Sequence, residues 1–170
     1  GISREQIEKL MEKVAYHETG RTMDPEQRQI NGPAGGLYQF EQEPSKEYPK
    51  ASGSATTAEN RMVNFLTSKT RGLGLPLDYV LSVTKSMSDD FSDVDKRLQD
   101  IAFLTNYIEK ADRELENKIV KSGLSDAVKG DEALLDWYLD IHWAGDLKDR
   151  AARAAGFAGN LESYYRKYGK

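Results

Sequence analysis

The longest apolar pattern in the chain does most to fix its architecture. It begins at Ser92 and runs to about residue 120. Leu98, Ile101, Ala102, Leu104, Ile108, Ala111, Leu115 and Ile119 recur there at steps of three and four. Such spacing lines one face of a helix, and the interspersed charges mark the opposite, solvated face. A core helix is expected rather than a coiled coil. The same period carries Ile7, Leu10, Met11, Val14 and Ala15. A capping box, Ser3 with Gln6, opens that helix, and Gly20 is its stop.

Further helices are expected on the same grounds. Thr56 with Glu59 predicts a capping box ahead of Met62, Val63, Phe65 and Leu66, with Gly72, Gly74 and Pro76 ending that helix. A short helix is expected over residues 77–87. Asp131 is expected to cap a helix through Trp143, ended by Gly145, and two short helices follow near 147–155 and 160–168. Asp24-Pro25, Asn31-Gly32-Pro33 and Gly35-Gly36 mark a loop over 21–36, and residues 42–55 read as a second loop. Leu37 to Phe40 is a short apolar return between them. The fold class is therefore mainly α: a helical bundle with a cleft and at most a small β-hairpin within residues 28–50.

With 170 residues the chain is expected to form one domain over 1–170, with a single core. It begins at Gly1 rather than Met, as expected either of a domain cut out of a larger protein or of a trimmed chain. Hydrophobic residues make up 38% and charged residues 31%, the balance of a folded globular chain. A net charge of -4 with interspersed signs gives no basic face for nucleic acid. No apolar run is long enough to span a membrane, and no secretion signal is visible. Cysteine is absent, which removes disulfides and thiolate metal sites. His17-Glu18 does not open a His-Glu-x-x-His zinc motif, because position 21 is Arg, and the chain has only two histidines. No metal or cofactor is expected. Gly32 to Gly36 lacks the Lys-Ser/Thr of a phosphate-binding loop.

One carboxylate stands out. Glu18 falls in the last turn of the first helix or just beyond it, near the negative end of the helix dipole, which should raise its pKa. A general acid needs that direction of shift. A glycosidase needs a protonated carboxyl beside the scissile oxygen, and apolar neighbours keep it protonated. Tyr16, Tyr38 and Phe40 are candidates for that wall. The alternative is that Glu18 is a solvated residue at a helix end.

The segments His17-Glu18-Thr19-Gly20, Asp24-Pro25 and Gly32-Pro33-Ala34-Gly35-Gly36-Leu37-Tyr38-Gln39-Phe40-Glu41 together resemble the signature of the soluble lytic transglycosylases and goose-type lysozyme-like proteins, in their phage virion-associated form. Trp137-Tyr138-Leu139-Asp140-Ile141-His142-Trp143-Ala144-Gly145 resembles the third motif of that family. Gln99 and Asp100, ahead of Phe103-Leu104, resemble a helical segment of such proteins. The matches follow the family's order along most of the chain. The resemblance implies a lysozyme-like fold and cleavage of the β-1,4 bond between N-acetylmuramic acid and N-acetylglucosamine. It implies Glu18 as the single catalytic acid/base, and Gln39, Tyr38, Tyr138 and His142 as substrate-binding residues. Trp143 stands where the family carries Asn, and the glycine turn is shorter than the family's. The implied partners are peptidoglycan glycan strands and other virion proteins. The implied location is a phage particle acting in the bacterial periplasm or cell wall, where it would aid genome delivery.

One carboxylate suffices for the lytic path, by changing role from acid to base. A hydrolytic, inverting path would need a second carboxylate roughly 6.5–9.5 Å from the first. Asp24, Glu41 and Glu43 are the candidates, although Asp24-Pro25 also reads as a turn and the two glutamates as loop charges. The competing class is a non-catalytic helical structural or glycan-binding domain of a virion protein. A partner or glycan site at Tyr164-Tyr165-Arg166-Lys167-Tyr168 is a lesser candidate beside simple C-terminal packing.

Overall fold

The computed structural model describes residues 2–69 and 94–170, with the side chains of residues 59, 63–69, 108, 109 and 112 outside the description. The expected helix over 77–87, the Gly72, Gly74 and Pro76 stop, and the Ser92 start therefore lie outside the described residues. What is described is mainly helical. Its elements are α1 (Arg4–Glu18), β1 (Ala34–Gly35), β2 (Phe40–Glu41), α2 (Ser54–Lys69), α3 (Lys96–Glu116), α4 (Leu124–Ala127), α5 (Asp131–Trp137), a π-helical turn (Tyr138–Trp143), a 3-10 turn (Leu147–Asp149) and α6 (Arg150–Tyr168). Among the described residues, no helix is long and apolar enough to cross a membrane.

Contacts divide the chain into two compact units: residues 1–21 with 107–170, and residues 22–106. The first unit joins the N-terminal helix to the C-terminal half. In α1 the capping box forms as the sequence predicts. Ser3 Oγ accepts from the Gln6 amide at 3.1 Å and Gln6 Oε1 accepts from the Ser3 amide at 2.9 Å. Leu10, Met11, Val14, Ala15 and Tyr16 form the buried face. The helix ends in a Schellman turn. Gly20 N–H bonds to His17 O and Arg21 N–H bonds to Tyr16 O, at 3.2 and 2.7 Å. The turn needs Gly20 at φ +60° and carries Arg21 into the left-handed region as well, at φ +73°.

The α1 helix lies along α6. Tyr16 OH and Ser163 Oγ are 2.8 Å apart, Tyr164 OH donates to Glu12 at 2.7 Å, and the Tyr16 and Tyr164 rings meet edge-on at 5.7 Å. The expected pair of helices at 147–155 and 160–168 is one helix, preceded by a 3-10 turn. Gly156 and Gly159 lie inside it, with open space where a Cβ would stand. Phe157, Leu161 and Tyr164 continue the buried face through them. Burial of that face outweighs the weak helix propensity of glycine, about 1 kcal/mol per residue. The expected helix through Trp143 also differs. Gly130, not Asp131, is the N-cap, and regular α-helix stops at Trp137. The turn then widens until the Ala144 amide reaches Leu139 O, five residues back, at 3.0 Å. Ile119 lies beyond α3 and is 68% exposed, so the core stripe of that helix stops short of it. The short α4 had no sequence signal.

The second unit is built around a loop and the first part of α3. Its hairpin pairs Ala34 with Glu41 and Gly35 with Phe40, inside the range expected for one. Leu37, Tyr38 and Phe40 are buried with Ala55, Ala58, Met62, Leu98, Ala102 and Phe103. Gln99 ties the loop down. Its oxygen accepts from Leu37 N–H at 2.8 Å, and its nitrogen donates to Pro25 O and Val94 O at 2.9 and 2.8 Å. Helix α2 begins at Ser54, so Thr56 is a helical residue and not a cap. Thr57 N–H already bonds to Gly53 O, and Thr56 Oγ1 is buried without a hydrogen-bond partner among the described residues. The turn at Gly53, with φ +66°, starts the helix three residues earlier than the sequence pattern predicts.

Candidate functional site

Glu18 is the last residue of α1, and its side chain is only 14% exposed. It is therefore not the solvated helix-end residue of the alternative reading. Tyr138 OH donates to its Oε1 at 2.6 Å, across 120 residues of sequence. His142 Nε2 lies 3.4 Å from the same oxygen, and that side chain is 5% exposed. Both contacts fall on Oε1. Glu18 therefore meets two members of the Trp137 to Gly145 segment.

Both residues stand on the π-helical turn. The widened turn presents Tyr138 and His142 together, with ring centroids 5.5 Å apart. Tyr138 stacks on Phe157 of α6 at 4.3 Å and 13°. Tyr107 meets His142 edge-on at 5.0 Å. Arg150, at the start of α6, holds the turn from outside through Asp140 at 2.6 Å, with Asp136 at 4.0 Å. Past the turn, Ala144 adopts the left-handed conformation at φ +46°. The Trp143 ring then covers Gly145 so closely that a Cβ there would force the ring to shift, and the Arg153 guanidinium sits over that ring at 5.5 Å.

The electrostatics reverse one expectation. Burial pushes the Glu18 carboxyl up. The hydrogen bond and charge of His142, the hydrogen bond from Tyr138 and, least, the charge that His17 carries when its ring is protonated pull it down and prevail. Glu18 thus sits below the ordinary carboxylate range, not above it as the helix-end position predicts. Donors aimed at a carboxylate outweigh a helix dipole that acts through the last turn alone. Tyr138 is pushed far above the usual phenol range, by burial first and then by Glu18, so it remains a donor. At neutral pH the resting site is an ionised carboxylate held by a protonated phenol.

Other candidates are placed elsewhere. Tyr38 is a core residue of the second unit, 2% exposed, with its ring stacked on Phe103 at 4.3 Å and its hydroxyl donating to Asp100 at 2.6 Å. It has almost no surface to offer a sugar. Gln39, at φ +49°, donates its side-chain amide to Gln27 O and Gly36 O at 3.1 and 2.8 Å. It ties the glycine turn to itself. Tyr16 packs against Tyr164 and Tyr168. Asp24 Oδ1 accepts from Glu26 N–H at 2.9 Å, Glu41 Oε2 accepts from Ser52 N–H at 2.8 Å, and the Glu43 carboxyl lies against Gly53. All three have local structural roles in the second unit, as their turn and loop positions suggest.

Sequence reasoning missed Phe157 and Asn160, which back the site from α6. Asn160 pairs with His17 Nδ1 at 2.7 Å and with Arg21 at 2.7 Å. A helix read as broken between residues 155 and 160 hides Phe157 and leaves Asn160 as an unremarkable helix start. Among the described residues no cluster of His, Asp and Glu has the makings of a metal site. Compared with protein-family models, curated proteins and solved structures, the chain matches none.

Proposed function

We propose that this chain cleaves the β-1,4 bond between N-acetylmuramic acid and N-acetylglucosamine in peptidoglycan, as a lytic transglycosylase with Glu18 as its single acid/base. The observation that carries the reading is the convergence on Glu18 Oε1 of Tyr138 and His142. All three residues stand out in the sequence, in segments far apart along the chain. A phage virion protein that opens the wall for genome delivery is the setting the sequence resemblance implies. Its partners would be glycan strands and other virion proteins.

The chemistry asks Glu18 to pick up a proton first. A sugar covering the carboxyl excludes water and raises its proton affinity, which counters the two donors on Oε1. Once protonated, Glu18 gives that proton to the glycosidic oxygen as the bond breaks. The positive charge at the anomeric carbon is met by the substrate's own N-acetyl group. Glu18, ionised again, takes the proton of the muramic C6 hydroxyl, whose oxygen closes a 1,6-anhydro ring. Tyr138 holds the carboxyl through both steps.

The depressed proton affinity of Glu18 favours a second reading. A buried carboxylate with two donors is also what anchors α1 to the π-helical turn in a non-catalytic structural or glycan-binding domain. Product analysis separates the two. Purified peptidoglycan is incubated with the protein and with Glu18→Gln, and released fragments are identified by mass spectrometry. Anhydro-ended fragments that disappear in the variant are the expected result. Reducing-end fragments that disappear in the variant would make the chain a hydrolase. No Glu18-dependent fragment from folded protein, with walls of several bacteria, would leave the structural reading.

A further inference from the structure

Asn160 occupies a position from which it decides the protonation of its neighbour. Its Oδ1 accepts from Arg21 Nε at 2.7 Å. A guanidinium nitrogen only donates, so this contact fixes which end of the amide is oxygen. The other end, Nδ2, faces His17 Nδ1 at 2.7 Å. An amide nitrogen also only donates, so Nδ1 must present a lone pair. His17 is then neutral and carries its proton on Nε2. The ring has little freedom to escape this pairing. It meets Tyr138 edge-on at 5.1 Å and Phe157 at 5.0 Å and 70°.

We propose that Asn160 is a positioning residue that locks His17 as the neutral Nε2–H tautomer and so keeps a positive charge away from Glu18, the next residue in the chain. The consequence for catalysis rests on the reading of Glu18 as acid. The groups that face His17 are known from each neighbouring element. On α1 there is Glu18, whose charge favours protonation of the ring. Arg153 on α6 and His142 on the π-helical turn oppose it, and burial opposes it most. Tyr138 faces it as a protonated phenol, and Arg21 stands behind Asn160. Protonation of Nδ1 would set two donors head to head. Relief would need the amide to turn over, which would place its NH2 against Arg21. The Schellman turn after α1 supplies the geometry, since it returns Arg21 towards Asn160. A charged His17 is one of the groups that hold Glu18 low, so a neutral ring makes its proton easier to acquire.

The test replaces Asn160 by Asp. A carboxylate accepts from both Arg21 and an Nδ1–H, so the lock is inverted while the size is kept. Long-range 15N NMR of the histidine rings and 13C NMR of the Glu18 carboxyl give the readout. In the natural protein His17 is expected to show the Nε2–H pattern at neutral pH. In Asn160→Asp its midpoint should rise by about 1 unit or more, with a proton on Nδ1, and the Glu18 midpoint should fall. The alkaline limb of Glu18-dependent cleavage should move to lower pH. An Nδ1–H tautomer in the natural protein would overturn the proposal, and that spectrum decides it even if the variant fails to fold. An unchanged His17 midpoint in folded Asn160→Asp would overturn it too. The NMR results do not depend on cleavage. If peptidoglycan is untouched while the tautomer and midpoints behave as expected, the lock stands and the reading of Glu18 as acid fails. If cleavage depends on Glu18 and the lock is absent, the reverse holds.

Discussion

Tyr138 donates to the Glu18 carboxylate at 2.6 Å, and this has measurable consequences at the scale of single residues. Removing the phenol by Tyr138→Phe takes one hydrogen bond from a buried charge. The expected loss is about 1.5–3 kcal/mol of stability near neutral pH, read by urea unfolding. The Glu18 midpoint should rise in the same variant. The sign of the pH dependence follows from the depressed carboxyl. Unfolded, Glu18 takes up its proton near 4.5; folded, it holds off until lower pH. The unfolded state therefore binds more protons in between. The stability contributed by Glu18 is fully present above 4.5 and is lost as pH falls through the folded-state value. Glu18→Gln should flatten that part of the acid limb in denaturation curves; an equally steep limb in the variant would assign it to other carboxylates. The sequence made Glu18 conspicuous and pointed to Tyr138 and His142. It could not give the direction of the shift, because donors 120 residues away along the chain determine it.

Among the elements, the well-marked ones were legible and the irregular ones were not. Ser3 and Gln6 announce α1, because a capping box is purely local chemistry. The π-helical turn has no such local code: an extra residue in a helix turn leaves the apolar spacing of Leu134, Trp137, Tyr138 and Ile141 looking α-helical. In α6 the glycines misled, since propensity is weak beside burial of Phe157, Leu161 and Tyr164. Gly156 has open space where a side chain would begin. Gly156→Ala should therefore stabilise the protein by about 0.5–1 kcal/mol, seen as a higher melting temperature. The loop over 22–41 depends on Gln99 for two hydrogen bonds, at Leu37 N–H and Pro25 O, and a third ties the same side chain to Val94 O. In Gln99→Leu one amide and two carbonyls lose their partner. The expected cost is about 2–3 kcal/mol, with faster hydrogen exchange at the Leu37 amide. Unchanged exchange there would show that the loop holds its own shape.

For the whole molecule, the mainly helical class with one small hairpin was readable from period and turn chemistry. The division into two compact units was not, because it depends on which distant helices share a core. Residues 1–21 belong with 107–170, and residues 22–106 lie between them in sequence. Both tryptophans, Trp137 and Trp143, are in the first unit. Their fluorescence reports on that unit alone. A chain lacking residues 1–21 loses Leu10, Met11, Val14 and Tyr16 from its core and should show red-shifted emission, as from wetted indoles. Emission unchanged by the deletion would mean that the C-terminal half packs without α1. The pairing of α1 with α6 also imposes an order on synthesis. During synthesis α1 finds its partner only when Tyr164, 152 residues after Glu12, has emerged. Until then its apolar face lacks its native cover, so the time for which the nascent α1 is exposed to chaperones and proteases is set by the arrival of α6.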